Sequence, residues 1–156
     1  MDGRTSPVVG DDRKTSNGNG CFGCSLENDR GLGLVFERGD GVVEAETTLG
    51  HAFAGYDGLV HGGIVSTLLD EAMGWAILEL AGRYAVTRSL VVDFRRPVLV
   101  DRPLKIQARV TGEEADGALR VESAVSDGRG RLLASAVGIW VPVRTTRIRQ
   151  DKSRRA

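Results

Sequence analysis

With 156 residues, 41% of them hydrophobic and 27% charged, the chain has the makings of one globular domain with a real core. Lysine plus arginine equals aspartate plus glutamate at 21 each, so no global field favours nucleic acid or an anionic membrane, and a small-molecule partner is expected. No stretch approaches ~18 uninterrupted apolar residues and the opening residues lack the apolar segment of a signal peptide, which points to a cytoplasmic protein with no membrane partner.

Residues 1–20 hold Gly, Ser, Asn, Thr and Asp with almost no apolar side chains, a composition that cannot repay the entropy of folding, and are expected to form a disordered leader. The domain is expected over 21–143. Its first feature is a CxxC pair, Cys21 and Cys24, the only cysteines of the chain. One pair supplies two of the four ligands a structural zinc normally takes, and neither His51 nor His61 stands at zinc-finger spacing to it. The two cysteines are therefore read as small buried hydrophobes at a strand entrance, with no metal.

Leu32, Leu34 and Phe36 alternate, Gly39-Asp40-Gly41 turns the chain, and Val43, Ala45 and Thr47 alternate again, which predicts a hairpin. A loop of small residues, 51–60, then delivers the chain to its most apolar stretch. From Ile64 onward, Val65, Leu68, Leu69, Ala72, Met73, Ala76, Ile77 and Leu80 recur at helical spacing, predicting about five turns of helix. Trp75 and Leu78 lie off that stripe, so the helix is apolar nearly all round and belongs inside the fold. Gly82 ends it.

Beyond the helix, alternation predicts four strands: 84–95, ended by Pro97; 104–110; 118–125; and 132–143, the last two joined at Asp127-Gly128. On strict alternation Tyr84, Val86, Leu90, Val92 and Phe94 share one face, and Thr87, Ser89, Asp93 and Arg95 the other. One apolar helix with five to six mostly antiparallel strands has one economical solution, an α+β fold in which the sheet curls around the helix. The tail, 144–156, carries six basic residues against one acidic one and is read as a solvated segment.

Two features of the helix carry chemistry. His61-Gly62-Gly63 opens it, and two glycines leave the first backbone N–H groups unshielded, where a developing negative oxygen could approach them. Asp70 sits mid-helix among apolar neighbours, where a carboxylate must be paired, protonated or functional. Eight residues at ~1.5 Å rise separate Gly62 from Asp70 by about 12 Å, too far to act on one atom. If both serve one reaction, two copies of the helix must lie antiparallel, and an obligate homodimer with sites at its interface is expected.

His61, Gly62, Gly63, Leu68, Asp70 and Ala72 together resemble the signature of the hotdog-fold acyl-CoA thioesterases, in the 4-hydroxybenzoyl-CoA thioesterase and PaaI-like branch. Cys21, Phe22, Gly23 and Cys24, followed by Asn28, Gly31, Leu32 and Leu34, are similar to the opening of many members. The resemblance spans roughly 21–143. It implies a hotdog fold, hydrolysis of a thioester to free acid and CoA without a cofactor, and a homodimer that pairs further into a dimer of dimers. It also implies Asp70 as base or nucleophile, the Gly62 or Gly63 amide as carbonyl-polarising donor, and Thr87 as a hydroxyl that helps place the attacking water.

Where some relatives have Asn or Gln six residues before the histidine, this chain has Gly55, leaving Tyr56 or His61 to orient substrate. His61 is otherwise read as a loop-fixing hydrogen-bond donor, and Glu71, about 100° round the helix from Asp70, as a structural carboxylate bonded to the loop. Leu59, Ile64, Met73, Trp75 and Ile77 are candidates for lining the acyl slot, and Arg95 and Arg96 for touching a carrier phosphate. Two rivals remain. An acyl-CoA-binding module that lost its chemistry would share the fold, and an enoyl-thioester hydratase would need Asp and His with four residues between them, whereas Asp57 and His61 have three.

Overall fold

The apolar run after His61 folds as α1, Gly62–Ala81, with Val65, Leu68, Leu69, Ala72, Met73, Ala76 and Ile77 buried along it. The structure, a computed structural model, describes residues 20–144; the expected leader, Gly20 apart, and the tail beyond Arg144 lie outside the described residues. Gly82 closes α1 in the left-handed region at φ 65°, its amide reaching the Leu78 carbonyl, a conformation that would strain a residue with a Cβ.

Among the described residues six strands form one antiparallel sheet: β1 Glu37–Arg38, β2 Val43–Thr48, β3 Tyr84–Phe94, β4 Pro103–Glu113, β5 Leu119–Asp127 and β6 Leu132–Val143. They lie side by side in the order β1-β2-β4-β5-β6-β3. The helix packs across this sheet, mostly on β4, β5 and β3. Val43, Ala45, Leu104, Ile106, Val121, Val125, Ala134 and Ala136 meet it from the strands and complete the core. This is the α+β architecture expected from the pattern, and the hotdog fold that the resemblance implies.

Three local readings are corrected. Leu32, Leu34 and Phe36 are buried as their alternation requires, yet they lie outside the sheet; the Leu32 and Leu34 amides bond to the carbonyls of Phe22 and Gly23 instead. Only Glu37–Arg38 pairs with β2, and this extended stretch and the CxxC turn pack on Glu71 and Trp75 of α1, where Phe36 stacks on Trp75 at 5.7 Å between ring centroids. The β5–β6 connection is longer than an Asp-Gly turn: Asp127 accepts from the amides of Arg129 and Arg131, and the positive φ falls at Gly130. The third correction is a β-bulge at Arg88, and it decides the site.

Candidate functional site

Helix α1 begins with His61 as its N-cap. Nδ1 of His61 accepts from the Gly63 amide at 2.8 Å, while the amides of Ile64 and Val65 bond to the His61 carbonyl. An accepting Nδ1 places the ring proton of a neutral imidazole on Nε2. His61 therefore fixes the helix start as an acceptor, not as the donor expected from sequence. Gly63, one of two candidate donors, is committed to this cap. Gly62 is left with an amide that has no acceptor among the described residues. It is exposed, and the Phe94 ring lies beside its Cα.

Asp70 lies two turns further along. Its Oδ1 accepts from the Thr87 hydroxyl at 2.7 Å, and Oδ2 has no partner among the described residues. Strict alternation put Thr87 on the face opposite Leu90 and Val92. The register with β6 shifts between Thr87 and Ser89, which leaves Arg88 as an extra residue and reverses the parity of the strand. Ala85 and Thr87 consequently stand opposite Pro142 and Trp140, on the same helix-facing side as Leu90 and Val92 opposite Gly138 and Ala136. Without that one residue Thr87 would point away from α1.

The pair opens into a cleft of about 360 Å³ lined by Trp75, Leu78, Tyr84 and Trp140 as well as Asp70, Glu71 and Thr87. Gly138 makes room for its inner wall, since a Cβ there would stand 2.5 Å from the Met73 sulfur and 2.8 Å from Trp140 Nε1. Leu78, Tyr84 and Trp140 were not singled out from the sequence as site residues. Trp140 faces inward on β6, but alternation could show only that it is buried, not that it borders an opening.

Of the other candidates, Trp75 lines the cleft and Met73 does not. Met73 is wholly buried between helix and sheet, so it is corrected from slot residue to core residue. Ile77 is wholly buried as well, whereas Ile64 is only partly so. Tyr56 is 85% exposed on the loop before α1, and Leu59 is tied by a bridge to Leu99. Gly55 packs on His61, where a Cβ would come within 3.2 Å of its Cα. Arg95 and Arg96 lie at the exposed end of β3, away from the cleft; Arg96 donates to the Leu132 carbonyl at 2.9 Å, and Arg95 stands 3.9 Å from Asp93.

Glu71, the next residue after Asp70, faces the CxxC turn. Its carboxylate accepts from Trp75 Nε1 at 3.2 Å and stands 3.6 and 3.7 Å from Cys21 Sγ. Burial pushes the Glu71 carboxyl up to about 7. The Cys24 thiol hydrogen-bonds Cys21 and draws it down to about 5, and Cys24 itself is pushed up by the same bond. The cysteines are free and half-buried, so they are polar partners of a carboxylate rather than the inert hydrophobes expected at a strand entrance.

The thioesterase superfamily profile matches residues 57–113, which run from the loop before α1 to the end of β4. A protein of Saccharolobus solfataricus named "Putative esterase SSO2140" is 31% identical over 113 residues, covering 72% of this chain and 78% of its own. This chain belongs to the thioesterase superfamily. Among solved structures, the thioesterase superfamily protein RHA08564 superposes with a TM-score of 0.68 at 26% identity, over 74% of this chain and 56% of that one. This superfamily member thus spans little more than half of that relative. A hypothetical thioesterase of Streptococcus pneumoniae TIGR4, solved with coenzyme A, shares the fold with a TM-score of 0.64 at 22% identity, over 69% of this chain and 86% of that one. Among the described residues no helix is long and apolar enough to cross a membrane.

Proposed function

We propose that the protein hydrolyses acyl-CoA thioesters, with Asp70 as the base. The observation that carries this reading is the 2.7 Å bond from Thr87 to Asp70 at the mouth of a cleft walled by Trp75, Leu78, Tyr84 and Trp140. The hydroxyl holds one carboxylate oxygen and leaves the other free to take a proton from water. The lone pairs of the same hydroxyl can accept from that water and aim it at the thioester carbon. The oxygen of the carbonyl gains charge as water adds, the tetrahedral intermediate expels CoA as thiolate, and the proton held by Asp70 returns to the sulfur. Direct attack by Asp70 to give an anhydride uses the same atoms. The superfamily assignment and the CoA-bound relative support the substrate class.

The oxyanion needs a donor, and the Gly62 amide of the same chain lies about 12 Å from Asp70 along the helix. A second copy supplies one. Among the described residues strand β3 is an eleven-residue edge whose Val86, Val91 and Phe94 are 51, 67 and 57% exposed, a length of unpaired backbone that proteins rarely leave open to water. Pairing through this edge builds a homodimer in which the helices run antiparallel and the Gly62 amide of one subunit reaches the Asp70 of the other.

The test is steady-state release of CoA thiol from short, long and aryl CoA thioesters, with two variants. Asp70→Asn should lose activity by about 10²–10⁴-fold. Gly62→Pro removes the N–H and adds a ring: proline suits the first helical position, the extended ψ of 135° at His61 accommodates a following proline, and a Cβ there meets the Phe94 ring at 3.6 Å, an ordinary contact. Mixing the two inactive variants should restore one intact site per mixed dimer. Full turnover in a folded, dimeric Asp70→Asn protein, or tight acyl-CoA binding with no hydrolysis by the wild type, overturns the enzyme reading; mixtures that stay dead overturn the shared site.

A further inference from the structure

The cluster of Cys21, Cys24 and Glu71 is not used by this chemistry, although Glu71 also borders the cleft, and it has the composition of a metal site. Cys21 Sγ, Cys24 Sγ and a Glu71 oxygen all lie within 4.8 Å of one another. A tetrahedral zinc with bonds of about 2.3 Å to sulfur and 2.0 Å to oxygen requires sulfur–oxygen edges of about 3.5 Å and a sulfur–sulfur edge of about 3.8 Å. The two distances from Cys21 Sγ to the Glu71 carboxylate, 3.6 and 3.7 Å, already match the first of these.

The surroundings hold the three groups in place. The CxxC turn is tied down by three backbone bonds: Ser25 to the Cys21 carbonyl at 3.1 Å, Leu32 to that of Phe22 at 2.7 Å and Leu34 to that of Gly23 at 2.9 Å. Gly23 is seated directly against the Glu71 carboxylate, so close that a Cβ would collide with it. Trp75 Nε1 donates to Oε1 of Glu71, an outer hydrogen bond of the kind that orients metal-ligating carboxylates. No lysine, arginine or histidine pairs with Glu71 among the described residues.

We propose that Cys21, Cys24 and Glu71 bind one divalent cation of borderline-soft character, zinc foremost, with water in the fourth position. Two sulfurs and one oxygen select such an ion over magnesium or calcium, which prefer all-oxygen shells. Binding releases the thiol protons to solvent and joins residues fifty positions apart, clamping the turn at 21–24 onto α1 one residue from Asp70. The ion braces the helix; it does not touch the reacting atoms. The proposal departs from the sequence reading of no metal, which could not see a third ligand so remote in the chain.

The experiment uses the full chain, purified under reductant, stripped with chelator, and titrated with Zn²⁺ alone and Co²⁺ alone. Expected are one ion per chain by elemental analysis, thiolate-to-cobalt charge-transfer absorption, and a rise in melting temperature on adding Zn²⁺. Cys21→Ser with Cys24→Ser should abolish all three, Glu71→Gln should weaken binding at least tenfold, about the loss expected for a damaged shell, and Asp70→Asn should leave binding unchanged. No ion taken up by the reduced wild type, or equal uptake by the folded double-serine variant, overturns the proposal. Should the serine variant not fold, Glu71→Gln decides: undiminished affinity overturns the site. These readouts do not involve hydrolysis, so this inference and the thioesterase reading can fail separately.

Discussion

Asp70 and Glu71 are adjacent residues of the same type on one helix, yet they occupy different environments. Both border the same cleft, but about 100° of rotation sets Asp70 against a hydroxyl from β3 that holds one of its oxygens and sets Glu71 against the turn at 21–24. An exposed oxygen beside a hydroxyl can take and return a proton. A carboxylate enclosed with two sulfurs and an indole N–H is built to be held still. Position round a buried helix, rather than residue type, separates the two environments.

The comparison breaks most visibly at the two carboxylates themselves. Asp70→Asn should reduce kcat by about 10²–10⁴-fold without altering the fold, whereas Glu71→Gln should keep kcat within a few-fold while losing metal; equal kcat losses would erase the distinction. Next in size is Met73→Ala, expected to cost about 2–5 kcal/mol in denaturant unfolding because Met73 is wholly enclosed. A cost well under 1 kcal/mol would return Met73 to the slot. Thr87→Ala should lower kcat about ten- to hundredfold, the worth of one hydrogen bond to a charged group, with KM little changed and with Thr87→Ser restoring the rate. A change confined to KM would make Thr87 a binding residue only.

The smallest effect lies far from both carboxylates and serves as a control. Hydrogen bonds from the Arg131 amide and side chain hold the Asp127 carboxyl below the usual range. A depressed folded pKa contributes stability that is present above the unfolded value of about 3.9 and is lost as pH falls through the folded one. Acid unfolding should therefore begin at slightly higher pH in Asp127→Asn, with activity at neutral pH unaffected. A change in neutral-pH turnover would show that the β5–β6 turn is coupled to the cleft.

Sequence alone was sufficient for what is periodic or contiguous. The apolar run after His61 could only be a buried helix, Gly82 could only end it, and alternating strands around one such helix admit a single economical wrapping. His61, Gly62 and Asp70 were legible because the helix sets their spacing. Tertiary structure decided what depends on a single inserted residue or on distant segments meeting. The bulge at Arg88 changes the parity of β3, and parity is invisible to a pattern that assumes strict alternation. Met73 went to the core because Gly138 on β6 admits its sulfur, a fact of packing across the sheet. Cys21 and Cys24 acquired a third polar neighbour fifty residues away. Local periodicity is written along the chain, while the approach of remote side chains is set only when the sheet has closed on its helix.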